Sequence, residues 1–342
     1  MSIKMISLAA ALLLSGCSAV GGSNTSKQVS AERQDQTYIE VPEVQTFIDY
    51  MASKHQYDRA LLVDVFSQIK KREQVITKSN NQPEVITPYY EYRTRFLNQG
   101  RIDSGVEFAN RNRVWLDKAE LEFGVPWPII VSIIGVETAY GRVTGNRDVF
   151  TSLTTLAFDY PRRGKYFRSE LESYLLLARQ EGWTVGETKG SYSGALGMVQ
   201  FMPSNYLKLA KDFNGNEHID LWGSEADAIG SVANYLQHHG WQRDGYTVSR
   251  ARVDDLDNVE EWVNKGRSPM FTLREWSKLG VWATTDYVHG KAGLVGLRDQ
   301  EGSTAYWLAY ENFFTIMDYN PSRRYAMSVL ELANRIAQSE GS

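Results

Sequence analysis

The fold of this chain is decided by residues 127–141, which read WPIIVSIIGVETAYG. Pro128 suits the first turn of a helix, and Gly141 suits its end. The residues between them are apolar on nearly every side, which predicts a helix buried in the core. Glu137 is the charged exception near the end of this helix. A charge among apolar residues is costly unless it is paired or its pKa moves, and a raised carboxyl pKa suits a general acid.

A second stretch, residues 191–204, reads SYSGALGMVQFMPS and is glycine-rich, polar and aromatic. We expect it to face Glu137 across a cleft. Glycosidases usually pair two carboxylates across the scissile bond. The acids nearby in the sequence are Asp148, Asp159, Glu170 and Glu172. None of them lies in a comparably apolar run.

Two interpretations of a catalytic Glu137 therefore remain open. Either a distant carboxylate approaches it in the fold, or one carboxyl performs both proton transfers while the substrate supplies the nucleophile. A non-catalytic interpretation makes Glu137 a surface residue or the ion-pair partner of Arg142 or Arg147.

Composition limits the class of protein. The chain has 342 residues, 42% of them hydrophobic and 23% charged, which is ordinary for a globular protein of two or three domains. The net charge of −4 argues against a nucleic-acid partner. The 5 histidines are not clustered with Cys or Glu at zinc spacing, so we expect no catalytic zinc and no cofactor for catalysis.

The N-terminus has the pattern of a lipoprotein. Residues 1–16 form a signal peptide whose apolar run is too short to span a bilayer. Leu14-Ser15-Gly16-Cys17 resembles a bacterial lipobox, in which Cys17 becomes the lipidated first residue, although an ordinary signal peptide is the alternative. Residues 17–37 contain the lipidated cysteine and a polar, flexible tether. By resemblance to the lipoprotein sorting pattern, Ser18 rather than Asp after the cysteine favours anchoring to the periplasmic face of the outer membrane.

Periodicity divides the rest of the chain. Helical spacing of apolar residues predicts an N-terminal helical domain over residues 38–120. The catalytic core is expected over residues 121–245 plus 311–342. Residues 246–310 lie between the two segments of this core. They contain β-favouring runs and glycines, which predict a small β-containing subdomain. The predicted fold class is α+β, predominantly α-helical.

Several ordered motifs identify a family resemblance. They are GVETAYGRV at 135–143, LAFDYPRR at 156–163, GALG at 194–197, QFMPS at 200–204, DAIGSVANY at 227–235 and YNPS at 319–322. As a set they resemble the membrane-bound lytic murein transglycosylases of the B type, from about residue 38 to the end. The resemblance implies a lysozyme-like core. It also implies cleavage of the MurNAc-β-1,4-GlcNAc bond of peptidoglycan, with formation of 1,6-anhydro-MurNAc ends.

The resemblance assigns roles to individual residues. Glu137 matches the family's single catalytic acid/base, which would explain the missing second carboxylate. The residues that match substrate-binding positions are Ser191, Gln200, Phe201, Tyr235, Tyr319, Asn320, Arg162 and Arg163. Among these, Phe201 could stack on a sugar, and the two arginines would contact the muramoyl lactyl group or the stem peptide. Core packing or surface charge is the alternative for each.

A possible calcium loop begins at Asp212. Oxygen-bearing side chains stand at its positions 1, 3 and 5, and the backbone carbonyl of position 7 is a further ligand, as in an EF-hand. These residues are Asp212, Asn214, Asn216 and His218, with Asp227 as the closing carboxylate by resemblance and Glu225 as its rival. Glu217 replaces the usual glycine at position 6. A structural Ca²⁺ is expected, and a metal-free Asx turn is the alternative.

Two other functions compete with the lytic transglycosylase. One is a hydrolytic muramidase on the same core, which would leave reducing ends. The other is a non-catalytic peptidoglycan-binding lipoprotein, which the intact motif around Glu137 disfavours. In all three, the partners are peptidoglycan glycan strands and, through the lipid anchor, the outer membrane.

Overall fold

A computed structural model describes residues 37–80, 87–285 and 290–340 of the chain. The predicted signal peptide, Cys17 and the tether up to residue 36 lie outside the described residues.

Helices make up most of the described chain. The first six are α1 (Pro42–His55), α2 (Arg59–Ser67), α3 (Glu73–Asn80), α4 (Tyr89–Tyr92), α5 (Gln99–Arg111) and α6 (Arg113–Phe123). The next five are α7 (Trp127–Thr138), α8 (Val149–Asp159), α9 (Gly164–Glu181), α10 (Pro203–Leu209) and α11 (Glu225–His238). The last three are α12 (Leu273–Lys278), α13 (Glu311–Tyr319) and α14 (Arg323–Glu340). The predicted α-rich fold class is confirmed.

In the part of the chain that the structure describes, two antiparallel sheets accompany the helices. The short strands β1 (Arg147–Asp148) and β2 (Lys189–Gly190) pair with each other. The larger sheet contains β3 (Val248–Val253), β4 (Phe271–Thr272), β5 (Val281–Ala283), β6 (Lys291–Gln300) and β7 (Ser303–Ala309). Its strand order is β4-β6-β7-β3-β5. All five strands lie within residues 246–310, the segment predicted to contain β structure.

The hydrophobic core explains how these parts hold together. The buried residues of the N-terminal helices and of α7 to α11, α13 and α14 form one continuous cluster. A smaller cluster around Trp276, which is fully buried, lies beneath the sheet. The helices of residues 38–120 therefore share their core with the segment that contains Glu137. The sheet contributes to both clusters, since Leu297 and Trp307 belong to the larger one and Leu294 belongs to the smaller one.

Helix α7 lies at the centre of the larger core. Pro126 precedes it, Pro128 occupies its first turn, and residues 129–136 are all buried. It packs against α14 and α5. Among the described residues no single helix is long and apolar enough to cross a membrane, and α6 with α7 passes that test only as a pair bent by 113°.

Candidate active site

Glu137 lies in the last turn of the buried helix α7. Its neighbours Val136 and Thr138 are 8% and 1% exposed, whereas Glu137 is partly exposed. Farther back in the same helix, the hydroxyl of Ser132 donates to the carbonyl of Val329 in α14, at 2.6 Å. A helix that is fixed inside the core thus presents one carboxyl at its edge.

The end of α7 is held in an unusual backbone conformation. Ala139 and Tyr140 adopt left-handed φ values of 55° and 63°, which cost energy for residues other than glycine. Hydrogen bonds from both sides hold this turn: Thr138 Oγ1 donates to the Met198 carbonyl at 2.7 Å, and Tyr140 Oη donates to the Arg101 carbonyl at 2.9 Å. The carboxyl of Glu137 therefore stands on a rigid support.

Tyr325 binds Glu137 directly. Its hydroxyl donates to Glu137 Oε1 at 2.7 Å, and the tyrosine is only 2% exposed in the first turn of α14. Burial and, second, the charge of Glu137 raise the pKa of Tyr325 well above its ordinary value. The phenol therefore stays protonated and remains a donor that orients the carboxyl.

Tyr319 is the second tyrosine of the candidate site. Burial and, second, the charge of Glu137 raise the pKa of Tyr319 well above its ordinary value. Its hydroxyl donates to the Val199 carbonyl at 2.6 Å. This bond ties α13 to residues 191–204. Since Thr138 at the end of α7 also donates to the Met198 carbonyl, the two predicted stretches do meet at one site.

Gln200 fixes the loop opposite α7. It adopts a left-handed φ of 51°, and its side-chain Nε2 donates to the carbonyls of Thr144 and Gly197 at 3.0 and 2.9 Å. Gly197 has a φ of +67°, and a Cβ there would lie 2.5 Å from the Leu221 carbonyl oxygen. Leu196 and Phe201 pair in an antiparallel bridge, so residues 196–201 form a small hairpin. The amide of Gln200 joins the loop after α7 to this hairpin, which is a positioning role.

The hydroxyl of Ser191 forms hydrogen bonds within its own loop. Its Oγ accepts hydrogen bonds from the backbone amides of Ser193 and Ala195, at 3.3 and 3.0 Å. It lies 3.1 Å from the hydroxyl of Ser193, and the serine remains partly exposed. The hydroxyl is therefore oriented before any substrate arrives.

The aromatic residues expected around the cleft form one packed group. The ring centroid of Tyr235 lies 4.7 Å from that of Tyr319 and 5.5 Å from that of Phe201. Tyr235 Oη donates to the Asp318 carbonyl at 2.7 Å. Phe201 is 1% exposed, so it has no open face for a sugar. The expected stacking role of Phe201 is corrected to packing behind the two tyrosines.

The predicted arginine pair separates. Arg163 places its guanidinium 4.4 Å from the ring centroid of Tyr166 and lines a cleft that Asn320 also lines. Both arginines are exposed in the turn before α9, and Arg162 is not among the residues that line this cleft. The structure thus brings Arg163 and Asn320 together on the Tyr319 side of Glu137.

The acids near Glu137 in sequence have structural partners elsewhere. Asp148 Oδ1 accepts the Thr151 amide at 2.6 Å and caps α8. Asp159 accepts the Tyr38 hydroxyl at 2.6 Å. The remaining contacts are Glu170 with the Ser204 amide at 3.0 Å, and Glu172 with Lys54 at 3.0 Å and His55 at 2.7 Å. Each of these carboxylates has a structural task.

The loop from Asp212 is closed by its own backbone. Asp212 accepts the amides of Gly215, Asn216 and Glu217 at 2.8, 3.1 and 2.7 Å, and Glu217 has a left-handed φ of 66°. Asp227 is 0% exposed. Its Oδ1 accepts the amides of residues 213 and 214, and its Oδ2 accepts that of residue 220.

The oxygens of this loop fit a calcium ion in part. Asn214 Oδ1 and Asn216 Oδ1 accept amides two residues ahead, at 3.0 Å each. Glu225 instead pairs with Arg111 at 2.7 Å. Counting only His, Cys, Asp and Glu side chains, the described residues contain no group of three or more that could hold a metal ion. Any cation here would depend on amide and carbonyl oxygens as well as on carboxylates.

Tyr325 is a site residue that the sequence alone did not predict. It lies 188 positions from Glu137, and no local spacing joins the two. One signal was available, because a tyrosine in the first turn of a helix directly follows the 319–322 motif. Only the packing of α14 on α7 shows what it contacts.

Comparisons with known proteins agree with this geometry. The Transglycosylase SLT domain family matches residues 40–334. Membrane-bound lytic murein transglycosylase B of Escherichia coli K12 is 38% identical over 308 residues, covering 86% of this chain and 83% of the relative. The soluble lytic transglycosylase SltB1 of Pseudomonas aeruginosa superposes with a TM-score of 0.81 at 38% identity, covering 88% of this chain and 100% of that one. The Escherichia coli lytic transglycosylase Slt35 in complex with calcium gives a TM-score of 0.80 at 36% identity, covering 92% and 99%.

A helical lysozyme-like fold with a glutamate at the end of a buried helix defines a glycan-cleaving enzyme. The chain belongs to the transglycosylase SLT family, and it is a lytic transglycosylase that acts on peptidoglycan.

Proposed function

We propose that Glu137 alone acts as acid and base in cleaving the MurNAc-β-1,4-GlcNAc bond, with formation of 1,6-anhydro-MurNAc ends. The observation that supports this most is the setting of its carboxyl, which is partly exposed on a buried helix and oriented by Tyr325.

The proton transfers balance with one carboxyl. Glu137 first donates its proton to the glycosidic oxygen as the C1–O bond of the muramoyl sugar breaks. The C6 hydroxyl of the same sugar then attacks C1, and its proton passes to the Glu137 carboxylate. The N-acetyl group of the substrate stabilises the positive charge between these steps. The glutamic acid is regenerated and no water is consumed.

Water must be kept from C1, since its attack would give ordinary hydrolysis. The packed rings of Tyr235, Tyr319 and Phe201 support an apolar wall near Glu137. Ser191 and Gln200 hold the opposite loop in place through their own backbone contacts. Asn320, Arg163 and the exposed Arg162 are available to polar groups of the substrate. These are the substrate-side roles that we propose.

Mass spectrometry of the released muropeptides tests the reaction. The chain beginning after Cys17 is incubated with purified peptidoglycan, beside a hydrolytic muramidase as reference. We expect products one water lighter than those of the muramidase, with no reducing muramic end. Reducing ends would instead establish hydrolysis. Binding to the sacculus without release of products would establish the non-catalytic alternative.

We also propose that Cys17 is lipidated and anchors the protein to the periplasmic face of the outer membrane. The lipobox-like residues 14–17 support this, as does the membrane-bound name of the Escherichia coli relative. Labelling with a radioactive fatty acid should mark the wild-type chain but not Cys17→Ser, and Cys17→Ser should move from the membrane fraction to the soluble fraction. Equal labelling of both would contradict the proposal.

A structural Ca²⁺ in the Asp212 loop is a separate proposal. The donors would be Asp212, Asn214, Asn216 and the His218 carbonyl, with Asp227 behind them. The left-handed turn at Glu217 supports it because position 6 of an EF-hand loop needs a sharp turn, and Slt35 was solved with calcium. The ion would stabilise the loop without entering the proton transfers. We expect Asp212→Ala to remove the rise in Tm that Ca²⁺ produces. If Asp212→Ala lowers Tm by the same amount in a chelator as in Ca²⁺, the proposed calcium site would be contradicted.

A further inference from the structure

Helix α5 contains a buried glycine in its interior. Gly105 is one of the buried residues of this helix, and a glycine at such a position stabilises a helix less than an alanine would. Gly100, in the first turn of the same helix, is exposed. A Cβ added to Gly100 would lie 3.8 Å from Asn98 Oδ1, which is an ordinary contact. The missing side chain of Gly105 therefore needs a packing reason that Gly100 does not.

Two side chains fill the space at Gly105. A Cβ added there would lie 2.6 Å from Tyr140 Oη and 2.5 Å from Ile336 Cδ1. Both distances are well below the separation of about 3.5–4.0 Å at which carbon atoms pack. Tyr140 follows α7, the helix of Glu137, whereas Ile336 lies in α14, the helix of Tyr325. At Gly105, α5 thus meets both elements that carry the hydrogen bond of the candidate site.

Hydrogen bonds in both directions reinforce the contact between α5 and the end of α7. The Tyr140 hydroxyl donates to the Arg101 carbonyl at 2.9 Å, and the Arg101 guanidinium donates to the Gly135 carbonyl. Gly135 is itself too close to Tyr140 for a side chain, since a Cβ there would lie 2.6 Å from Tyr140 Oη. The ring centroid of Phe108 lies 5.6 Å from that of Tyr140. Helix α5 therefore encloses Tyr140 and holds the last turn of α7.

The backbone after α7 depends on this enclosure. Ala139 and Tyr140 are consecutive residues with left-handed φ, a conformation that persists only where the surrounding structure imposes it. Arg142 adds a further bond to α5, because its Nη2 donates to Ser104 Oγ at 3.0 Å. A change on this face of α5 would let the turn relax and would move Glu137, which lies two residues before Ala139.

We propose that Arg101, Gly105 and Tyr140, called here the α5 contact, position the Glu137 carboxyl against the hydroxyl of Tyr325 for the proton transfers. The inference rests on the proposed function of Glu137. These are positioning residues that act through the ends of α7 and α14. Misplacing a reacting group by about 1 Å can cost about 100-fold in rate. The α5 contact should therefore determine kcat rather than KM.

Gly105→Ala tests the spacing of the helices. Its methyl group must displace Tyr140 or Ile336, so kcat for muropeptide release by the full chain should fall by about 10- to 100-fold. KM should change by less than about twofold, because no residue that faces the substrate is altered. Gly100→Ala is the matched control on the same helix and should leave both constants at their wild-type values. Adding Ile336→Val, which removes Cδ1, should raise the kcat of Gly105→Ala by about threefold.

Tyr140→Phe decides the case in which Gly105→Ala does not fold, because it keeps the ring and removes only the hydroxyl. Its kcat should fall by about three- to tenfold at unchanged KM, since the bond to the Arg101 carbonyl is lost. A wild-type kcat for Tyr140→Phe would overturn the proposal. Equal kcat values for Gly105→Ala and Gly100→Ala, or a loss that appears in KM, would overturn it as well. Full turnover by Glu137→Gln would instead overturn the proposed function.

Discussion

Glu137 and Asp227 are carboxylates on two buried helices, and they are held in opposite ways. Both oxygens of Asp227 accept backbone amides, and the residue is completely buried at the start of α11. Glu137 is partly exposed at the end of α7, where the hydroxyl of Tyr325 orients one of its oxygens. A carboxylate that closes a backbone loop stabilises the fold, whereas one oriented by a side chain at a cleft can exchange a proton.

The largest effect on turnover should come from replacing Glu137, the carboxylate at the cleft. Glu137→Gln keeps the shape of the side chain but removes its titrating proton. Because one group performs both transfers, turnover should fall by about 10³-fold or more. Rates of muropeptide release measure this, with Glu122→Gln, an exposed glutamate on α6, as the control. Glycan binding and Tm should stay near wild type, and substantial residual turnover would place the acid elsewhere.

Asp227→Asn should show the reverse pattern. An amide replaces one oxygen with an NH₂ group, which then faces a backbone N–H donor in a fully buried site. The free energy of unfolding should fall by about 3 kcal/mol, as measured by denaturant titration. Asp117→Asn, whose exposed ion pair with Arg113 contributes little, should change it by less than about 0.5 kcal/mol. If Asp227→Asn lowers turnover at unchanged stability, the contrast between the two carboxylates fails.

Tyr325→Phe tests whether orientation of Glu137 matters. The ring stays buried, but the hydrogen bond to Oε1 is lost, so kcat should fall by about tenfold with little change in KM. Tyr206→Phe is the matched control because it removes a buried hydroxyl that donates to the Ile219 carbonyl at 2.8 Å. It should cost similar stability without changing kcat. Equal kcat values for the two variants would remove Tyr325 from the site.

These contrasts also show where sequence reasoning succeeds and where it stops. The apolar run around Glu137 predicts both the buried helix and the exceptional carboxyl, since both are local properties. Tyr325 was missed because its contact with Glu137 depends on how α14 packs on α7. Phe201 was assigned a sugar-facing role because its sequence position cannot show which face of the hairpin is covered. Whether a polar oxygen is already used by the backbone, as in Asp227, is likewise a tertiary property.

The smallest effect should come from His239, which follows α11 and packs its ring 4.2 Å from that of Tyr235. Burial lowers the pKa of His239, and the His238 charge adds to this while Asp318 opposes it. A lowered histidine pKa means that the unfolded chain binds the proton more readily. The stability from neutral His239 is therefore present above about pH 6.5 and is lost as the pH falls through the lower, folded-state value. Because the ring is partly exposed, the loss should be at most about 0.5 kcal/mol. Unfolding free energies measured from pH 7.5 to 5 should fall more steeply for the wild type than for His239→Gln. Parallel curves would show that protonation of His239 does not lower the stability of the fold.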